Sequence, residues 1–264
     1  MTPTYADGRD GSQKLDPWAS KRRLLAVADV QTGYHHDSIS HALATVERLG
    51  HESGAYVTNI RTDSQLITKQ PIRGQGTKYH GKNVNARNLD HYDALFLLPS
   101  GEGTLTPQQK ADLLTFVRED GKGLIVGHAG LLGFYDWPEF GELIGGRMGG
   151  EFMGEVHVIV EQPSFPGADA LGGTSFSFYE QYPIVTAPYS REIVEVILRI
   201  DPESVPATSR AKREDHDFPV VWTRRYGRGR VYHLSWGHHA ATWDDPRFQT
   251  LVGKGIAWAM GIGS

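Results

Sequence analysis

The chain has 264 residues, a net charge of −4 and a pI near 6.3, so no global basic field favours nucleic acid or an anionic membrane. It contains no cysteine, which excludes disulfides, thiolate metal sites and a cysteine nucleophile. Apolar residues make up 39% of it, an ordinary share, and the length suffices for one large α/β core.

Residues 1–20 are polar, carry glycine and proline, and lack the apolar centre of a signal peptide. They are expected to form an arm on a cytoplasmic protein. No apolar run reaches the ~20 residues that span a bilayer. LLAVADV (24–30) reads as a first strand. In HHDSISHALATVERL (35–49), Ile39, Leu43, Val46 and Leu49 fall at helical spacing, with Gly50 as a stop. SGAYVTNI (53–60) reads as a second strand. Residues 62–90 are polar and lack periodicity, the pattern of a functional or mobile loop. ALFLL (94–98) is a third strand, and Thr106-Pro107 then supplies an N-cap and a first helical residue. Leu113, Leu114, Phe116 and Val117 form the apolar side of that helix, which is expected to end at Gly121. LIVG (124–127) is a fourth strand that stops in Gly127-His128-Ala129-Gly130.

Strands and helices alternate this far with short links, which implies βαβ units and a parallel sheet covered on both faces. The second half differs. VHVIVEQ, EIVEVILRI, FPVVWTRRY and GRVYHLSW are strand-like with no long helices between them, and YGRGR (226–230) reads as a hairpin turn. An amphipathic helix over 248–260 closes the chain. The expected fold is a single α/β domain over residues 21–264. Its central sheet is mainly parallel and flanked by helices, with extra antiparallel strands in the C-terminal half.

Of the twelve histidines, those at strand ends matter most, because ligands of open α/β sheets bind at the carboxyl ends of the strands. His128 ends the fourth strand at a sharp turn; a cap on the turn is the rival reading. His35-His36-Asp37-Ser38 follows the first strand, and one of its two imidazoles is expected to face the crevice. Gly237-His238-His239 follows GRVYHLSW and can bring a further imidazole near. Phe178-Tyr179-Glu180-Gln181-Tyr182-Pro183 surrounds one carboxylate with aromatics, which desolvate it as a general acid or base requires. Phe134-Tyr135-Asp136-Trp137-Pro138 is a similar mixture, and aromatics beside polar groups suit sugar rings. Three histidines and a glutamate suit a divalent metal with nitrogen and oxygen ligands. PSGEGT (99–104) lacks the Gly-Lys-Ser/Thr ending of a P-loop, so no nucleotide cofactor is expected.

Several stretches together resemble the ThuA-like, or trehalose-utilisation, family: GYHHDSI (33–39), DALFLLPSGEGTLTPQQKADLLTFV (93–117), GKGLIVGHAG (121–130) with FYDWPEFGELIGGRM (134–148), YEQY (179–182), PVVWTRRYGRGRVYHLSWGHH (219–239) and GIAWAMG (255–261). The resemblance implies a flavodoxin-like fold of the class I glutamine amidotransferase type. In that fold the strand-end elbow holds a catalytic cysteine, whereas here it holds His128, so the chain is not expected to hydrolyse glutamine. Carried over by motif, the family's polar positions fall on His36, His128, Glu180 and His238. The chain departs from the family pattern at Phe165, where a histidine precedes proline, and at Tyr179, where an aspartate is usual.

The resemblance implies an enzyme of carbohydrate metabolism, a hydrolase or lyase acting on a disaccharide or glycoside, with a 3-keto glycoside as one such substrate. His128 and Glu180 are the expected catalytic residues. His36, His128 and His238 are the expected ligands of Zn, Mn or Ni. Tyr135, Trp137, Tyr182 and His239 are expected to contact the sugar. Expected partners are a small-molecule sugar, an oxidoreductase and a further copy of the chain, with no nucleic acid or membrane. The alternative is a non-catalytic carbohydrate-binding or regulatory module on the same scaffold.

Overall fold

A computed structural model describes residues 20–82 and 87–263. The expected arm, apart from Ser20, lies outside the described residues. In chain order the elements are β1 (Arg22–Val27), α1 (Ile39–Ser53), β2 (Tyr56–Arg61), α2 (Gly76–Tyr79), β3 (Ala94–Leu97), α3 (Pro107–Arg118), β4 (Gly123–Val126), α4 (Pro138–Ile144), β5 (Arg147–Val160), β6 (Ser175–Thr186), β7 (Glu195–Ile200), α5 (Ala207–Arg210), β8 (Pro219–Tyr226), β9 (Gly229–Leu234), α6 (Ala240–Asp244) and α7 (Pro246–Ala259).

The strands form one nine-stranded sheet in the order β2-β1-β3-β4-β9-β8-β7-β5-β6. Neighbours from β2 to β9 are parallel; those from β9 to β6 are antiparallel. The sheet is therefore mixed, with a small parallel core, and not mainly parallel as expected. The reason is visible in the strands. β3 and β4 are four buried residues each and read as apolar runs. β5 and β6 are 14 and 12 residues long and half exposed, so only the end of β5 in VHVIVEQ read as strand, while Gly149-Gly150 and the polar residues of SFSFYEQY hid its start and β6.

One face of the sheet packs against α1 and α7, through Leu43, Val46, Leu251 and Ile256. The other packs against α3 and α4, through Leu113, Phe116, Phe140 and Leu143. α1 runs past Gly50 to Ser53 and stops at Gly54, whose φ is +66°. Thr106 caps α3 in a reciprocal capping box with Gln109. No helix among the described residues is long and apolar enough to cross a membrane.

Candidate active site

β1, β4 and β9 run in the same direction within the parallel half, so their carboxyl ends share one edge. His36, His128 and His238 lie just beyond those ends. Their rings form a triangle with centroids 4.8, 5.1 and 5.1 Å apart, and one nitrogen from each lies within 4.8 Å of the others. They line a cavity of about 290 Å³ with Tyr34, Leu132, Met148, Glu151, Gln181 and Ser235.

Backbone contacts hold the His128 ring and the turns that carry His36 and His238. His128 Nδ1 lies 2.8 Å from the Ser235 carbonyl oxygen. A carbonyl can only accept, so Nδ1 carries the proton and Nε2 presents its lone pair to the triangle. That nitrogen is 3.2 Å from His238 Nδ1. The left-handed residue of the elbow is Ala129, at φ +69°, one position after the histidine expected there. A non-glycine residue in that region is strained, and the turn is pinned by Gly130 N–H donating to Gly127 O. His36 sits in a loop held by the Ser100 hydroxyl donating to Tyr34 O at 2.5 Å.

His238 depends on Gly237. The Gly237 N–H donates to Glu180 Oε2 at 3.1 Å, and its carbonyl accepts from the Ser38 hydroxyl and Trp243 Nε1. At φ +114° with Trp243 only 2.8 Å from where a Cβ would stand, this position needs glycine.

Burial holds the imidazoles neutral. Desolvation, with the neighbouring His238 second, lowers the pKa of His36 to about 4. Burial lowers that of His128 to about 3 against the opposing Ser235 carbonyl. Burial and His239 lower that of His238, despite Glu180, Glu151 and Asp37. At neutral pH the three rings therefore offer lone pairs and not mutually repelling charges.

This arrangement fits a divalent cation. Metal–nitrogen bonds of 2.0–2.1 Å in a tetrahedral site put ligand nitrogens about 3.3 Å apart, close to the 3.2 Å between His128 and His238. The His128 proton on a backbone carbonyl is the outer contact that metal-bound histidines make.

A family model described as trehalose utilisation, ThuA, matches residues 24–259. The chain belongs to the ThuA family. Among solved structures it resembles a ThuA-like protein of Bacteroides uniformis, at 19% identity and a TM-score of 0.69, covering 92% of this chain and 93% of that one. A ThuA-like protein of Parabacteroides merdae follows at 15% identity and 0.65, covering 92% and 91%. The glutaminase domain of Trypanosoma brucei CTPS aligns at 13% identity and 0.51, covering 92% and 96%. At these identities the structures show a shared fold alone. A comparison of the sequence with curated proteins returned no match.

In this ThuA-family chain the three expected metal ligands come together, and the other expected site residues do not join them. Glu180 is fully buried. Its carboxylate accepts from Gln181 N at 2.8 Å, Gly237 N at 3.1 Å and the Thr242 hydroxyl at 2.6 Å. It braces the turn that carries His238 and is not among the side chains that line the cavity.

Tyr182 is buried in the core, its hydroxyl donating to Phe178 O at 2.8 Å, because even-numbered residues of β6 face the α1/α7 side. Trp137 is buried and stacked on Phe140. Neither contacts the cavity. Tyr135 is exposed, its hydroxyl donating to Met148 O and its ring lying against the Arg147 guanidinium. His239 stacks on Tyr179, with Nε2 3.9 Å from Glu180, and stands outside the cavity wall. Phe165 packs on Tyr232 and Trp258 in the core, so this departure from the family pattern does not touch the site.

The sequence reading missed Tyr34, Glu151 and Gln181. For Gln181 the signal was the alternation of SFSFYEQY; for Tyr34 it was proximity to His36, whose ring lies 4.7 Å away. It also missed Asp29, fully buried at the end of β1, whose carboxylate accepts from Thr104 N and Oγ1 and ties β1 to the loop after β3.

Proposed function

We propose that this chain is a sugar-processing lyase or hydrolase acting on a keto disaccharide or keto glycoside at the three-histidine cavity. The observation that carries this reading is the convergence of three neutral imidazoles on one point of a concave site. The family description, trehalose utilisation, supports a disaccharide substrate. The cavity lies near the lower limit of small-molecule pockets, a size suited to one sugar ring with its neighbour at the mouth.

A keto group at C3 acidifies the hydrogen on C2. A base removes that proton, the electron pair forms the C1–C2 double bond, and the glycosidic C1–O bond breaks. The departing oxygen takes up a proton, giving an unsaturated keto sugar and an alcohol with no oxidant consumed. A bound divalent ion, Zn, Mn or Ni, would stabilise the negative charge that develops on the keto oxygen. His36, His128 and His238 would hold that ion, and the Ser235 carbonyl fixes the tautomer of His128. Leu132 and Met148 exclude water from one wall. Since a keto sugar arises by oxidation of a secondary alcohol, an oxidoreductase supplies the substrate.

The test is elemental analysis of protein purified without chelator, paired with assay on 3-keto-trehalose. About one metal per chain and chelator-sensitive turnover are expected. Metal-free protein that binds the sugar without turnover would establish the binding-module alternative instead.

A further inference from the structure

We propose that Glu151 is the acid–base residue of this site, brought onto the same cavity wall as Met148 by a β-bulge at Gly149-Gly150. The inference rests on the sugar-processing reading above and assigns the proton transfer which that reading leaves open.

The register of β5 against β6 carries the first part. Met148 pairs with Val185, and Glu151 pairs with Pro183. Three steps along β5 match two along β6, so β5 holds one extra residue between them. In a regular strand, residues 148 and 151 point to opposite faces. The extra residue cancels that alternation, and both side chains line the cavity with Gln181 and Pro183. Beyond the bulge, Val156, Val158 and Val160 face the α1/α7 core, the parity that a single inserted residue dictates. Gly149 is required at close quarters: a Cβ there would meet Thr186 Cγ2 at 2.3 Å.

Chemistry carries the second part. The cavity wall contains three imidazoles, a phenol, an amide, a serine and one carboxylate. His128 has its Nδ1 proton engaged by Ser235 and its Nε2 committed to the triangle. Glu180 has both oxygens occupied behind the wall. Glu151 is exposed to solvent at the cavity, and no hydrogen bond or ion pair among the described residues engages its carboxylate. It lies outside the metal-ligand group, yet its charge reaches His238. A carboxylate beside a cation site and open to substrate can take the C2 proton and return it to the departing glycosidic oxygen. The proton inventory then closes within one side chain.

The experiment compares wild type, Glu151→Gln and Glu151→Asp on 3-keto-trehalose, measuring kcat, calorimetric affinity and metal content. For Glu151→Gln, kcat is expected to fall by about 10² or more, with affinity within about threefold of wild type and metal content unchanged. Glu151→Asp is expected to restore part of the rate. Normal turnover by Glu151→Gln overturns the proposal, as does a loss of metal that parallels the loss of rate. Wild type that holds metal yet does not turn the sugar over also overturns it, while the three-histidine site survives. Wild type without metal instead brings down the metal reading, and Glu151 is then judged by the turnover ratio alone.

Discussion

The two halves of the sheet build the site in different ways. The parallel half contributes from strand ends: His36, His128 and His238 stand in turns after β1, β4 and β9, where the loops of a parallel sheet gather. The antiparallel half contributes from strand interiors: Glu151 and Gln181 project sideways from the β5/β6 ribbon. A residue at a strand end reaches the crevice whatever its parity. A residue within a strand reaches it only when the register permits, so the pairing opposite Pro183 decides that Glu151, and not its neighbour, faces the ligand.

The largest expected effect tests the parallel half. His128→Ala should lower turnover by about 10³ or more and abolish metal binding, while thermal stability drops by only about 1 kcal/mol for the lost Ser235 contact. Full activity with reduced stability would reduce His128 to a turn cap. The antiparallel half is tested by deleting Gly150. Removal of the extra residue closes the bulge and leaves Met148 and Glu151 two steps apart, both on the cavity face, so kcat should fall less than it does in Glu151→Gln, with metal content retained. A loss as large as that of Glu151→Gln would show that the bulge itself, beyond strand parity, aims the carboxylate.

Glu180 joins the halves, because β6 carries it and the turn after β9 needs it. Glu180→Ala should destabilise the fold by about 3 kcal/mol, since it strands the buried Gly237 N–H and Thr242 hydroxyl. It should also weaken metal binding by misplacing His238. A variant of wild-type stability would contradict the bracing role.

Acid should destabilise the whole molecule. His36, His128 and the fully buried His233 have pKa values lowered by burial to about 4, 3 and 3. In the unfolded chain each takes a proton near pH 6.5, whereas the fold resists until the lower value. Stability is therefore complete above pH 6.5 and declines as pH falls toward 4, by up to about 1.4 kcal/mol per pH unit for each buried group. Denaturant titrations between pH 7 and pH 4 that gave a constant midpoint would refute the burial of these rings. The smallest effect belongs to Tyr182→Phe: about 1 kcal/mol from the lost Phe178 contact, with sugar affinity unchanged.

The sequence by itself determined the parallel core and the three histidines. Short buried strands print as apolar runs, glycine and proline mark where they stop, and polar residues at such stops stand out against them. The cap at Thr106, the hairpin after Tyr226 and the closing helix were legible for the same reason: each is local, fixed within a few residues. Only the tertiary structure decided which carboxylate faces the cavity. Glu180 sits among aromatics and reads as a desolvated acid, yet its orientation follows from the parity of β6 and its partners lie 57 and 62 positions away in Gly237 and Thr242. Glu151 follows two glycines outside every element the sequence suggested, yet pairing with β6 makes it strand and sets its face. Side-chain direction in a sheet depends on which residue of a distant strand lies opposite, and a single chain read along its length does not contain that register.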